Sequence, residues 1–174
     1  MRRLVLLSIA VLALLYGGVL AGAAIWARAD VPHENCPSED AVVQVDTRTR
    51  VLSLCRAGHE DGHFRVALGR NGVDKRRDGD GRTPRGRYPL SPARASARYH
   101  LFLPVGYPTK DQLKYGYTGS AIGVHGPHKA FAWLGHATVW PDWTLGCIAL
   151  GTRAEVRHVS RWVRQNAVGE ILIL

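Results

Sequence analysis

Two strings, Val124-His125-Gly126 and Trp143-Thr144-Leu145-Gly146-Cys147-Ile148-Ala149-Leu150, decide how this chain is read. A Gly-Cys step followed by an apolar run places a lone thiol at the start of a buried strand. His125-Gly126 closes another strand-like run, Ala121-Ile122-Gly123-Val124. The cysteine and the histidine stand 22 positions apart. That is too far for a local turn, so only the tertiary fold can bring them together, as it does for Cys/His nucleophile pairs in general. A chain in which they meet is equipped for acyl transfer through cysteine.

Outward from these strings the pattern is β. Val42-Val43-Gln44-Val45 and Val51-Leu52-Ser53-Leu54 flank the turn residues 46–50 and predict a hairpin. Alternation over 63–68 predicts a third strand, and 87–90, 99–103 and 120–125 predict further short ones. Residues 69–86, 104–119 and 126–142 read as loop, with a helical turn near 111–114. Thr152-Arg153-Ala154-Glu155 has the form of a capping box. Val156, Val159, Trp162 and Val163 recur after it at three- and four-residue steps, so one helix is predicted there. Residues 170–174 predict a last strand. Many short strands with one or two helices and no internal repeat point to a mainly β fold.

The chain has 174 residues and a formal charge of +9, which suits a single basic domain behind an N-terminal segment. Met1-Arg2-Arg3 precedes an uncharged, mostly apolar run from Leu4 to Trp26. A cleaved signal peptide would use Ala27-Arg28-Ala29 as its small-x-small site. The length of the run favours an uncleaved anchor, with the N-terminus inside and the domain outside. Either reading exports the remainder, to the periplasmic or cell-wall side, anchored in the inner membrane or secreted. The organisation expected is a segment over 1–29, a linker over 30–40 and a domain over 41–174. In an oxidising compartment Cys36 and Cys55 can pair, tying linker to domain, which leaves Cys147 as the odd, reactive thiol. A buried inert cysteine is the competing reading of Cys147.

The ordered set of segments resembles the YkuD-type L,D-transpeptidase catalytic domain over roughly 41–174. It comprises the opening hairpin, Val66-Ala67-Leu68-Gly69, Asp78-Gly79-Asp80-Gly81-Arg82-Thr83-Pro84-Arg85-Gly86-Arg87-Tyr88, His125-Gly126 and Thr144-Leu145-Gly146-Cys147. The resemblance implies an L,D-transpeptidase-like β-sandwich and a cell-wall enzyme acting on peptidoglycan stem peptides. Cys147 is then the nucleophile and His125 the general base and acid, oriented by the backbone carbonyl of Gly126. The amides of Leu145, Gly146 and Cys147 form the oxyanion hole. Thr144, Trp143 and Asp142 are expected at the substrate, with loop packing as the alternative for the last two. Leu145 and Ala149 stand where the common family pattern carries polar residues, which marks a divergent branch. In that branch an L,D-specific hydrolase or amidase cutting stem-peptide or protein–peptidoglycan linkages is the alternative to a transpeptidase that forms cross-links or exchanges a terminal D-amino acid. The resemblance implies acylation by carbapenem-type β-lactams. No cofactor, no metal and a monomer are expected.

Other readings carry less. His59-Glu60-Asp61-Gly62-His63 matches the spacing of zinc peptidases, but Gly58 and Gly62 interrupt the helix that chemistry needs, so it reads as a hairpin turn. His128 and His136 read as loop residues. The basic loop from Arg70 to Arg87 lacks interleaved aromatics, and an exported domain seldom meets nucleic acid, so no nucleic-acid partner is expected. That loop better suits the carboxylates of an anionic stem peptide. A non-catalytic wall-binding module is the third class, disfavoured by the presence of both Cys147 and His125.

Overall fold

The computed structural model describes residues 9, 12–19, 21–22, 25, 35–38 and 40–174. Most of the segment expected over 1–29 and of the linker expected over 30–40 therefore lies outside the described residues. Among the described residues no helix is long and apolar enough to cross a membrane. Cys36 and Cys55 are joined in a disulfide with Cα atoms 5.3 Å apart.

The elements run β1 (Val42–Asp46), β2 (Val51–Arg56), β3 (His59–Ala67), β4 (Gly86–Pro89), β5 (Arg94–Ser96), β6 (His100–Pro104), α1 (Lys110–Lys114), β7 (Gly123–His125), a 3-10 segment (Lys129–Val139), β8 (Ile148–Leu150), α2 (Arg153–Gln165) and β9 (Glu170–Ile173). The strands form one sheet in the order β4-β9-β1-β2-β3-β8-β7-β6-β5. The sheet curls until strands near its opposite edges touch. Leu90, after β4, bridges Val105, after β6, and the Gly106 amide donates to the Pro89 carbonyl at 2.8 Å. One core fills the curl, with Val43, Leu52, Leu103, Val124, Ile148 and Ile171 from different strands. The fold is mainly β, as the alternating pattern and the family resemblance imply.

β1 and β2 are buried along nearly their whole length, and their alternating apolar residues pair in the antiparallel register Val43↔Leu54. α2 starts as its capping box predicts. Thr152 Oγ1 accepts from the Glu155 amide at 3.1 Å, and Glu155 Oε2 accepts from the Thr152 amide at 2.9 Å. The helix buries Val156, Val159, Trp162 and Val163 against the sheet.

Two expectations need correction, and one strand had no signal in the sequence. The string 59–63 is not a turn but the exposed first half of β3, and the turn is Ala57-Gly58, both at positive φ. No apolar alternation announces that half because both its faces meet solvent. β5 is an edge strand without a buried residue, so it has no hydrophobic signal either. The expected loop 126–142 contains the 3-10 segment, kinked at Gly135. His128 caps this segment, and His136 within it lies 2.7 Å from Glu155 of the α2 capping box.

Candidate active site

β7 and β8 are neighbours and parallel, with Val124 opposite Ile148 and His125 opposite Ala149. Side chains two apart on an extended chain point to the same face. Cys147, two residues before Ala149, therefore shares the face of His125. Both side chains line one cleft of about 740 Å³, a size that suits a small peptide ligand. Val124 and Ile148, each next to one of the two residues, pair and are buried in the core, so core packing holds the register that puts both residues on one face.

His125 is 1% exposed, and its Nδ1 lies 2.7 Å from the Gly126 carbonyl oxygen. A carbonyl can only accept, so Nδ1 carries the proton and Nε2 is left as the basic nitrogen. Aromatic rings fix the imidazole plane. Tyr99 stacks on it with centroids 3.9 Å apart at 17°, Phe102 lies 6.1 Å away at 13°, and Trp143 is tilted at 5.8 Å. Burial disfavours the imidazolium and pushes the His125 pKa down to about 4, against a smaller upward pull from the Gly126 hydrogen bond.

The turn before Cys147 is closed by Thr144. Its hydroxyl donates to the Cys147 carbonyl at 2.7 Å and accepts from the Gly146 amide at 3.0 Å. The Gly146 N–H is thereby engaged by the Thr144 hydroxyl. The Leu145 and Cys147 amides donate to no protein acceptor among the described residues. Thr144 itself is tied to the strand across it by Thr144 N to Leu68 O at 3.1 Å and Arg70 N to Thr144 O at 2.9 Å.

The Cys147 thiol donates to the Ala121 carbonyl at 3.5 Å, and Ala121 is one of the few non-glycine residues at positive φ, 57°. Burial disfavours the thiolate and pushes the Cys147 pKa up to about 11, opposed weakly by the Gly123 backbone and the Lys75 charge. At neutral pH the resting pair is a neutral thiol and a neutral imidazole. A proton must move as the sulfur attacks. The sign is testable, because a raised thiol pKa leaves about one thiolate in ten thousand at pH 7. Alkylation of the folded protein by iodoacetamide should be slow at pH 7 and climb nearly tenfold per pH unit through pH 9. A plateau reached by pH 8 would mean a preformed thiolate.

The other expected site residues divide. Trp143 forms a wall of the cleft, held by its Nε1 donating to the Thr138 carbonyl at 2.8 Å. Asp142 turns the other way. Its carboxylate accepts from the Leu68 amide at 2.9 Å and lies 3.6 Å from Arg50, so it braces the loop outside the cleft lining. The basic loop contributes less than its charge suggested. Arg85 is paired with Asp74 at 2.8 Å, and Arg82 donates to the Val73 carbonyl at 3.0 Å. Lys75 reaches the cleft but is buried on Asp80. Sequence reasoning missed Tyr99 and Phe102, although the Gly123-Val124-His125 string held a clue. A Cβ on Gly123 would fall 2.4 Å from Phe102 Cζ, so the glycine makes room for the ring beside His125. Among the described residues no group of three or more His, Cys, Asp or Glu side chains is placed to hold a metal ion.

The sequence model of the YkuD family, described as the L,D-transpeptidase catalytic domain, matches residues 40–171. No curated protein matches the chain. Solved structures share the fold. The helical cell shape determining protein Pgp2 from Campylobacter jejuni superposes with a TM-score of 0.65 at 21% identity, covering 91% of this chain and 54% of that one. Bd1075 of Bdellovibrio bacteriovorus gives a TM-score of 0.56 at 20% identity, over 78% and 48%. An L,D-transpeptidase from Mycobacterium smegmatis gives 0.50 at 12% identity, over 78% and 58%. This chain spans about half the length of the first two structures.

Proposed function

The chain belongs to the YkuD family of L,D-transpeptidase catalytic domains, and from that premise we propose that it acts on peptidoglycan stem peptides by cysteine acyl transfer. The observation that carries this reading is the pairing of β7 with β8. It supports the reading because His125 and Cys147 then both line one cleft, and the Nδ1 bond to Gly126 leaves Nε2 free to act as the base. Cys147 Sγ attacks the carbonyl carbon between the L-centre of a diamino acid and the following D-residue, while His125 Nε2 takes the thiol proton. The carbonyl oxygen becomes an oxyanion held by the Leu145 and Cys147 amides. The tetrahedral adduct collapses, the C–N bond breaks, and the imidazolium returns the proton to the departing amine. An acceptor amine or water then attacks the thioester, loses its proton to His125, and Cys147 is released as thiol. The reaction takes place on the exported side of the membrane, where stem peptides lie.

The test is mass spectrometry of a disaccharide-tetrapeptide ending in D-alanine, incubated with the full-length protein in detergent beside Cys147→Ala. Cross-linked dimers formed only by the wild type establish a transpeptidase. Tripeptide with free D-alanine establishes the hydrolase of the same chemistry. Products that persist in Cys147→Ala would remove the cysteine from the mechanism.

A further inference from the structure

We propose that Arg94 and Arg98 form the carboxylate-reading wall of the Cys147 cleft, so that the substrate is selected for a free carboxylate near the scissile bond. This rests on the stem-peptide reading above and names the group that the site grips. Four side chains of fixed charge line the cleft: Lys75, Asp78, Arg94 and Arg98. Lys75 is not available, because its Nζ is buried between Asp80 Oδ1 at 2.8 Å and the Arg77 carbonyl at 2.9 Å. Asp78 is exposed and joined to neither arginine by an ion pair. Arg94 and Arg98 are exposed, and among the described residues neither has an ion pair or a side-chain hydrogen bond. Arg56, Arg85 and Arg87, outside the cleft, are each paired with a carboxylate.

The two arginines are also placed. Both belong to the β5–β6 hairpin, Arg94 on the edge strand β5 and Arg98 in the turn. That turn is held at both sides: Ser96 Oγ accepts from the Tyr99 amide at 3.1 Å, and the Arg98 carbonyl accepts from the Lys129 amide at 2.8 Å. The Arg94 guanidinium lies over the Phe102 ring, 5.5 Å from its centroid, and Phe102 in turn stacks 6.1 Å from the His125 ring. A cation held on an aromatic face loses less freedom when it binds an anion. A guanidinium presents a planar fork of N–H donors that matches a carboxylate in two parallel hydrogen bonds. Arg94 thus stands one ring away from the base, with the open side of the fork unfilled.

Two carboxylates of a stem tetrapeptide have this chemistry, the C-terminal one beyond the scissile bond and the one on the diamino acid side chain. The experiment separates them. Binding of three synthetic tetrapeptides to full-length Cys147→Ala, which cannot turn them over, is measured by calorimetry: the free acid, the C-terminal amide, and the amide at the side-chain carboxylate. Arg94→Gln, Arg98→Gln and their double are compared in the same background. The free acid should lose at least about tenfold in affinity in each single variant, and on the order of a hundredfold in the double. One of the two amides should bind the unsubstituted arginine protein as weakly as the free acid binds the double, and this identifies the carboxylate. Arg94→Lys should recover only part of the loss, because an ammonium keeps the charge without the fork. Equal affinity for all three peptides, or full discrimination surviving in the double, overturns the arginine assignment and leaves the stem-peptide reading intact. No binding of any peptide, with no turnover by the wild type, removes the stem-peptide reading and this inference with it.

Discussion

Gly146→Ala is expected to remove turnover and lower stability together. Gly146 has φ +127°, and a Cβ built there would lie 2.4 Å from the Arg82 carbonyl oxygen and 3.1 Å from Ile122 Cδ1. That φ is one that side-chain-bearing residues rarely adopt, at a strain of about 1–3 kcal/mol. The clash is with backbone, which cannot rotate away. Arg82 is anchored, since its amide donates to Asp80 Oδ1 at 3.1 Å, so the turn 144–147 must give instead. That turn carries the thiol and both free amides. Misplacement by about 1 Å is worth roughly a hundredfold in rate, and loss of one oxyanion donor a further hundred- to thousandfold. Steady-state kcat/KM on the stem-peptide substrate should fall at least about a hundredfold, with Tm down several degrees. An alanine variant within threefold of wild type would show that the turn is not the oxyanion site.

The second large effect concerns a charge buried beneath the cleft. Lys75 is 4% exposed, and Asp80 is its counter-ion. Burial alone would raise the Asp80 pKa. Instead the Lys75 ion pair and the amides of Arg77, Arg76 and Arg82 hold it well below the usual carboxylate range. Asp80→Asn keeps one acceptor oxygen, enough for the Arg76 and Arg77 amides, but turns an NH2 donor toward the Arg82 amide and leaves the ammonium without its charge partner. Breaking a buried pair on one side costs about 3–5 kcal/mol, so Tm should fall by roughly 10 °C or more. Lys75→Met in the same chain removes the orphaned charge and should restore more than half of that loss. Thermal unfolding of the two singles and the double forms a cycle. If Asp80→Asn and the double melt alike, the ion pair contributes nothing. The sequence showed here a loop rich in Gly, Asp and Arg. That this loop folds around a buried lysine beneath the cleft depends on Tyr107, whose hydroxyl donates to the Lys75 carbonyl at 3.1 Å, and on Gly119, whose missing Cβ leaves space beside Lys75 Cε.

The boundary between what was legible and what was not follows the range of the forces. Local rules held where the signal was local. The hairpin β1–β2 follows from alternation, α2 from its capping box and apolar stripe, and β8 from the apolar run after Cys147. They failed where burial is absent or comes from distant partners. β5 is all edge, the first half of β3 is exposed on both faces, and the 3-10 segment is held by contacts such as His136 to Glu155. Asp142 looked like a cleft residue by its position beside Trp143, but the Leu68 amide, 74 residues away, claims its carboxylate.

By itself the sequence determined the family, the mainly β architecture and a short list of chemically competent residues, because residue type and order are enough to set hydrogen-bonding capacity, strand period and helix capping. Tertiary structure alone decided which of those groups face one another and in what protonation state. Parallel pairing of β7 with β8 aligned His125 with Cys147, and the Thr144 hydroxyl engaged the Gly146 amide. Burial raised one pKa and lowered the other, and the edge hairpin left Arg94 and Arg98 uncompensated at the cleft. These are consequences of distance and desolvation, which arise only when segments far apart in the chain are packed together.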